Sequence, residues 1–345
     1  MINRQRLLLI INIYKKGVIN MNKFKKIGLS ALAGSLVAMS ASAEMAITGG
    51  ASIGISQTNE KAAAGYYNNN SIKFTFSGET DGGLTVTQYV EIDAGAQDDM
   101  YTSVAGSFGT ITFNQGGGNS VMSGWDDKTP TAYEEVWDIA QMDSTGRESD
   151  VMLINGVSGA NLWRYDSPTM SGVSVHAAYV GEQAAGAKSG GSLQSYSDFG
   201  IQIVPEMVEG LSLGYAMGEV TEPNASDQHA TTNDDSTLWI NYAYGPITIG
   251  YQSSETDGQT ATQDDESTAM SIVYAVSENI SVSYGQNELD LGSSTVDQEA
   301  SGFAASYTMG GMSITVQQNE IDNVAGSTAA ANDIEGYDLN VAFAF

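Results

Sequence analysis

The last nine residues read Tyr337-Asp338-Leu339-Asn340-Val341-Ala342-Phe343-Ala344-Phe345, and they alternate strictly between large apolar and small or polar side chains. Successive side chains of a β-strand point to opposite faces of the sheet, so every second residue shares a face. The apolar face of this segment carries Tyr337, Leu339, Val341, Phe343 and Phe345. The pattern predicts a final strand with one strongly apolar face that ends on phenylalanine.

The same alternation recurs along the chain from residue 44 onward. Ile72, Phe74 and Phe76 share one face, whereas Lys73 and Thr75 share the other. The second face of such segments is mostly Ser, Thr, Gly, Gln and Asn, whereas the outer face of a soluble β-sandwich carries many charges. A hydrated inner wall with the apolar face toward lipid fits this composition. The pattern therefore predicts strands that cross a membrane.

No segment after residue 43 approaches the run of about 20 apolar residues that a spanning helix requires. The alternating segments are separated by Gly, Asn, Asp and Ser clusters, and short connections alternate with long, acidic ones. We predict an all-β fold, a transmembrane antiparallel β-barrel of about 16 strands with both termini on one rim. The predicted strands are 45–57, 71–80, 84–93, 99–105, 110–115, 161–166, 173–180, 196–204, 211–220, 236–244, 247–256, 267–276, 280–289, 298–308, 312–321 and 335–345. The predicted long connections are 59–70, 116–160, 181–195, 221–235, 257–266, 290–297 and 322–333.

A secretory signal peptide is predicted before the barrel. A basic region contains Lys23, Lys25 and Lys26, an apolar run covers 27–39, and an Ala-x-Ala cleavage motif occupies 41–43. This order is typical of exported proteins, and the apolar run is too short for a stable membrane helix.

The domain boundaries follow from this signal. Met21 directly precedes it, so we predict that 1–20 is a mis-called extension, that 21–43 is the signal peptide and that 44–345 is the barrel. A genuine long basic region at the N-terminus is the alternative.

The charge of the chain excludes nucleic acid as a partner. The formal net charge is −28, and 7 of the 13 basic residues lie in the first 43 positions, leaving 6 against all 41 acidic residues. Nucleic-acid binding requires the opposite sign. In a membrane protein these acids belong in loops, turns or a wet lumen. The absence of Cys excludes disulfides and thiolate metal sites.

At this point the sequence resembles the 16-stranded, trimeric general porins of Gram-negative bacteria. Three stretches carry the resemblance, namely Phe74-Thr75-Phe76-Ser77-Gly78-Glu79-Thr80-Asp81-Gly82-Gly83-Leu84, Ala105-Gly106-Ser107-Phe108-Gly109-Thr110-Ile111 and the terminal Tyr337–Phe345. The last of these is similar to the assembly signal of outer-membrane barrels. The resemblance implies a homotrimer in the outer membrane that is exported by the secretory pathway, contacts lipid and is inserted by the barrel-assembly machinery.

The segment 116–160 is far longer than the other connections and lies between the fifth and sixth predicted strands. In the porins that the chain resembles, the third loop folds into the barrel and narrows the pore, and 116–160 matches that loop by position. The resemblance implies that its charged residues line the constriction: Asp126, Asp127, Glu134, Glu135, Asp138, Asp143, Arg147, Glu148 and Asp150. We also expect a helical turn over 133–137. For any one acid, a solvated surface position is the alternative.

Alternation places Lys73, Glu91, Asp93, Arg164 and His176 on the pore wall. In the family the loop acids face a cluster of arginines and lysines, and this sequence departs from that pattern. We therefore expect a channel that prefers cations, because charge rings and pore width set permeation.

The predicted function is passive diffusion of small hydrophilic solutes and cations through a water-filled pore. A substrate-selective channel is one alternative, and lumen aromatics would favour it, with Tyr89 and Trp239 as candidates. A non-conducting adhesive or structural barrel is another. No nucleophile motif accompanies the two histidines, so we expect no enzyme. No cofactor is required, although the acidic loops leave room for structural Ca²⁺, which takes oxygen ligands.

Overall fold

The computed structural model describes residues 44–59, 62–138, 156–159, 161–181, 195–222, 231–258, 260–329 and 332–345. The predicted extension 1–20 and signal peptide 21–43 lie outside the described residues. In the described ranges, no helix has both the length and the apolar character needed to cross a membrane.

Sixteen of the strands in the described residues form one closed antiparallel barrel. They are β1 (Glu44–Thr58), β2 (Gly65–Glu79), β3 (Thr85–Asp93), β4 (Ala96–Gly106), β5 (Gly109–Gly116), β8 (Leu162–Asp166), β9 (Val173–Val180), β10 (Ser195–Ile203), β11 (Leu211–Glu222), β12 (Thr231–Tyr244), β13 (Ile247–Asp257), β14 (Asp265–Ser277), β15 (Ile280–Leu291), β16 (Gln298–Met309), β17 (Met312–Asp322) and β18 (Ile334–Ala344). A separate two-stranded pair consists of β6 (Gly118–Asn119) and β7 (Ser158–Gly159). A short 3-10 turn covers Val324–Gly326.

Each barrel strand pairs with the next along the chain, β5 pairs with β8, and β1 closes the barrel against β18. The closing ladder runs from the pair Gly50 and Ala344 to the pair Thr58 and Gly336. Closure satisfies the backbone of every strand within the protein, which lipid requires of any sheet that spans a membrane. The predicted class of fold and all 16 predicted strands are confirmed.

Two predicted connections are shorter than expected. The predicted loop 59–70 gives way at Gly65 to β2, and the predicted loop 221–235 gives way at Thr231 to β12. Both strands gain their extra residues by pairing with long neighbours, so that Asn68 to Asn70 lie opposite β1. The asparagines there have low strand propensity, so pairing with the neighbouring strand, and not their intrinsic preference, keeps their backbone extended.

The two faces of the barrel have inverted polarity relative to a soluble protein. Exposed aromatic side chains lie near strand ends on the outward face and include Tyr179, Tyr242, Tyr244, Tyr274 and Tyr307, whereas exposed Phe303 lies in the middle of β16. Fully or nearly buried polar side chains, among them Ser56, Thr237, Gln317, Asn319 and Asp338, face inward. An apolar exterior with aromatic residues at its edges and a polar interior is the arrangement of an outer-membrane barrel.

Candidate pore constriction

The described residues that follow β5 enter the barrel and run along its inner wall. We call residues 117–138 the inserted loop. The pairing of Gly118 with Gly159 joins the two ends of the connection between β5 and β8 at the barrel wall, which we call the root of the inserted loop. Arg164 on β8 holds the same root, because its Nη1 atom donates to the carbonyl oxygens of Asn119 and Ser120 at 3.1 and 2.9 Å. The loop therefore leaves the wall at a fixed point.

The first contact of the inserted loop is with β10. The backbone N–H of Met122 donates to Asp198 Oδ2 at 2.8 Å, and the Tyr196 hydroxyl donates to the same oxygen at 2.9 Å. Met122 is fully buried, and Trp125 packs edge-on against Trp239 with ring centroids 5.7 Å apart. This part of the loop is thus anchored by a small core inside the barrel. Trp239, a candidate lumen aromatic in the sequence, belongs to that core and is only 4% exposed.

The middle of the inserted loop lies across β12, β13 and β14. The N–H of Lys128 donates to Gln252 Oε1 at 2.6 Å, and its carbonyl accepts from Asn241 Nδ2 at 2.7 Å. The Ser271 hydroxyl donates to the Pro130 carbonyl at 2.6 Å. Polar side chains of successive strands thereby form hydrogen bonds with the N–H and C=O groups of the loop, and buried backbone groups need such partners.

The far end of the inserted loop reaches β17 and β18. Asn319 Nδ2 donates to the carbonyl oxygens of Glu135 and Asp138 at 3.0 and 2.7 Å. The Tyr133 hydroxyl donates to Asp338 Oδ2 at 3.0 Å. The N–H of Asp138 donates to the Glu135 carbonyl at 3.1 Å, so the expected helical turn is a single hydrogen-bonded turn over 135–138.

Glycines on the inner wall make room for this close contact. A Cβ atom added at Gly200 would lie 2.6 Å from Val121, one at Gly285 would lie 2.9 Å from Val136, and one at Gly250 would clash with Pro130. These glycines face inward on β10, β13 and β15. Real Cβ atoms do not approach neighbours so closely, so any side chain there would push the loop toward the lumen centre.

The described loop acids are Asp126, Asp127, Glu134, Glu135 and Asp138, and the structure brings them together along the inserted loop. Burial raises the pKa of Asp126 to about 7, with Asp127 adding to the rise. Burial also raises the pKa of Glu135 to about 8, and the charge of Asp127 adds to this shift too. The pKa values of Glu134 and Asp138 are raised, in both cases mainly by burial. The predicted site residues Asp143, Arg147, Glu148 and Asp150 lie outside the described residues.

The five wall residues all lie on strands whose inward positions face the lumen. Lys73 Nζ lies 3.3 Å from Glu91 Oε1 on the neighbouring strand. Asp93 lies opposite Ser71 in the same ladder. Of these three wall groups, Lys73 and Glu91 are thus paired with each other across β2 and β3.

The other two wall residues meet at Asp166. Arg164 Nε lies 3.1 Å from Asp166 Oδ1, and His176 Nδ1 lies 2.6 Å from the same oxygen. The Ser174 hydroxyl contacts His176 Nε2 at 3.0 Å. Sequence reasoning missed Asp166, although its position two residues after Arg164 on an alternating strand signals the same face.

Other buried groups of the site were also missed, above all Asp198 and Asp338, which anchor the inserted loop. Alternation alone signals that they face inward, because they flank outward Phe199 and Leu339 on their strands. Their partners are distant in sequence, and Tyr133 lies 205 residues before Asp338. These hydrogen-bond partners could therefore be identified only from the structure of the closed barrel.

A closed barrel with an inward polar face and a loop lying along its inner wall defines a transmembrane channel of the outer-membrane type. The chain belongs to the Gram-negative porin family, whose model matches residues 28–326.

Solved porin structures share the fold. An anion-selective porin from Comamonas acidovorans superimposes with a TM-score of 0.66 at 14% identity, covering 88% of this chain and 100% of that chain. OmpT of Vibrio cholerae in a trimer form gives 0.62 at 11% identity, covering 88% and 100%. Salmonella typhi OmpF in complex with daunomycin gives 0.64 at 11% identity, covering 87% and 97%. A search of curated proteins found no significant match.

Proposed function

We propose that this outer-membrane porin is a passive diffusion channel that prefers cations over anions. The observation that carries the proposal is the composition of the lumen. In the described part of the chain the basic residues are Lys73, Lys128 and Arg164. Inward-facing or loop acids are far more numerous and include Glu91, Asp93, Asp99, Asp126, Asp127, Glu134, Glu135, Asp138, Asp166, Asp198, Asp235 and Asp338.

The two basic groups on the described wall are also poorly placed to attract anions. Lys73 contacts Glu91, and Arg164 contacts Asp166 while donating to the root of the inserted loop. A row of unpaired basic side chains opposite the acidic loop would create a transverse electric field and a path for anions. The described wall offers paired charges in its place, so the lumen potential is negative and focuses cations.

The sign of the selectivity is a property of these side chains and not of the barrel. The Comamonas acidovorans porin shares the fold and is anion-selective by its description. The two chains are only 14% identical, so the shared barrel does not by itself fix the sign of the selectivity.

The proposal extends to assembly and export. Residues 21–43 direct secretion, the C-terminal strand from Tyr337 to Phe345 is read by the barrel-assembly machinery, and three copies associate in the membrane. The trimer form described for Vibrio cholerae OmpT supports self-association of this fold. No catalytic function, and no cofactor beyond Ca²⁺ held in the acidic loops, is part of the proposal.

A liposome-swelling assay tests diffusion and charge preference together. The purified protein is inserted into liposomes, and swelling is followed in isosmotic arabinose, lysine hydrochloride and sodium glutamate. We expect rapid swelling in arabinose, and faster uptake of the cationic than of the anionic amino acid. Absence of swelling from folded, inserted protein would favour a plugged or adhesive barrel, and faster glutamate uptake would reverse the proposed selectivity.

A further inference from the structure

Two tyrosines form a stacked pair on the lumen wall formed by β3 and β4. Tyr89 on β3 and Tyr101 on β4 are direct partners in the ladder, with ring centroids 4.9 Å apart and ring planes inclined by 16°. Both face inward, and both are partly exposed. The next inward residue in the same row is Thr75 of β2, which is short and leaves the outer face of the Tyr89 ring uncovered by another ring.

Two carboxylates lie next to this pair, on the side nearer to the rim that carries the long loops. The Tyr89 hydroxyl donates to Glu91 Oε2 at 2.6 Å, and Lys73 approaches the other oxygen of the same carboxylate. Asp99, two residues before Tyr101, lies across the ladder from Glu91, where the register of β3 and β4 shifts. The wall thus combines two aromatic faces with two carboxylates and one cation.

This combination differs from what a simple salt pathway requires. Inorganic cations need only negative potential and water, and the wall carboxylates alone would supply that potential. Ring faces carry negative potential and attract ammonium groups, and they also cover the apolar body of a ligand. The hydrogen bond to Glu91 and the stacking on Tyr101 hold the Tyr89 ring in one orientation, so the surface is formed before a ligand arrives.

We propose that Tyr89 and Tyr101, together with Glu91 and Asp99, form a lumen subsite for organic ammonium ions that carry an aromatic or otherwise apolar body. The ammonium group lies near the carboxylates, and the apolar body lies on the exposed ring faces. The subsite rests on the proposed cation preference and adds to it a class of solute. Binding there is weak and reversible, because a tight site in a channel slows exit.

Block of the K⁺ current in planar bilayers tests the subsite. Benzylammonium is added at millimolar concentration to the unmodified channel and compared with ammonium ion and with neutral benzyl alcohol. We expect benzylammonium to reduce the K⁺ conductance at a concentration at least about threefold lower than either control, in keeping with a single solvent-exposed cation–π contact. Equal effects of benzylammonium and ammonium would overturn the proposal without any variant.

Variants of Tyr101 locate the block. Tyr101→Leu removes one ring and leaves the Tyr89 hydrogen bond to Glu91, and we expect it to abolish the difference between benzylammonium and ammonium. Tyr101→Phe keeps the ring and should keep the block, and an unchanged block in Tyr101→Leu would place binding elsewhere. The permeability ratio of K⁺ to Cl⁻, measured without amine, reports on the proposed function independently, so failure of the subsite and failure of the cation preference are distinguishable.

Discussion

The hydroxyl of Tyr133, near the far end of the inserted loop, donates a hydrogen bond of 3.0 Å to Asp338 Oδ2 on the last strand. The same carboxylate accepts from Tyr67 on β2, at 2.9 Å on Oδ1 and 2.8 Å on Oδ2. Tyr67 and Asp338 stand on either side of β1, so this contact ties the loop to the seam where the barrel closes. Space for the Tyr67 ring comes from Gly54 on β1, where an added Cβ would clash with the ring.

Removing the Tyr133 hydroxyl is expected to loosen the far end of the inserted loop. A hydrogen bond to a charged group contributes roughly 1.5–3 kcal/mol, and Tyr133→Phe deletes one of the bonds to Asp338. We expect larger open-channel noise and more frequent subconductance states in single-channel records. Tyr337→Phe is the matched control, because its hydroxyl bonds Gln57 on the outward face. Indistinguishable records from the two variants would show that the bond does not position the loop.

A side chain at Gly250 is expected to narrow the pore. Gly250→Val would drive the wall into Pro130, so the loop must move toward the lumen centre. We expect a lower single-channel conductance in the variant. Gly78→Val is a suitable control, because nothing lies within 4 Å of a Cβ added at Gly78. Normal conductance of a folded Gly250→Val channel would mean that the loop does not lie against β13.

The cation preference is expected to increase with pH. Asp126 and Glu135 have pKa values raised to about 7 and about 8, so both are largely protonated and neutral at pH 6. Raising the pH to 9 ionises them and adds negative charge to the constriction. The reversal potential in a KCl gradient should therefore shift toward the K⁺ value between pH 6 and pH 9.

Neutral variants identify the groups behind this shift. The double variant Asp126→Asn with Glu135→Gln should show a much smaller change of reversal potential over the same pH range. If the reversal potential of the double variant shifts with pH as much as that of the unmodified channel, other lumen groups titrate in this range.

Arginine is expected to have opposite consequences at two adjacent positions of β17. Val316 is 42% exposed on the lipid face, and Thr315 beside it faces the lumen. Val316→Arg should lower the free energy of unfolding by about 2–4 kcal/mol, the cost of Arg near the middle of the bilayer. Urea-induced unfolding in lipid vesicles measures this cost. Thr315→Arg should leave stability nearly unchanged and reduce the cation preference. Equal destabilisation by both would contradict the assignment of faces.

Much of the fold could be predicted because a barrel in lipid is governed by local alternation. Each of the 16 predicted strands exists. A strand with an apolar residue at every second position has one apolar face, and only that face can contact lipid. Gly65 to Asn70 escaped prediction because the asparagines there have low strand propensity, and only the length of β1 extends the ladder over them.

The inserted loop was predictable in position but not in its contacts. Its length and place between the fifth and sixth strands indicated insertion, whereas Asp338 and Asn319 become partners only when distant strands close around the loop. In the sequence the wall glycines could be identified only as small residues of the lumen face. That they make room for the inserted loop is evident only from the packing of the folded chain.

The central claim is that lumen charge makes this porin prefer cations, and the reversal potential tests it most directly. The purified protein is inserted in a planar bilayer under a tenfold KCl gradient at pH 7.5. We expect stepwise conductance increments and a reversal potential of the sign set by K⁺ diffusion. A reversal potential of the sign set by Cl⁻ diffusion would contradict the account.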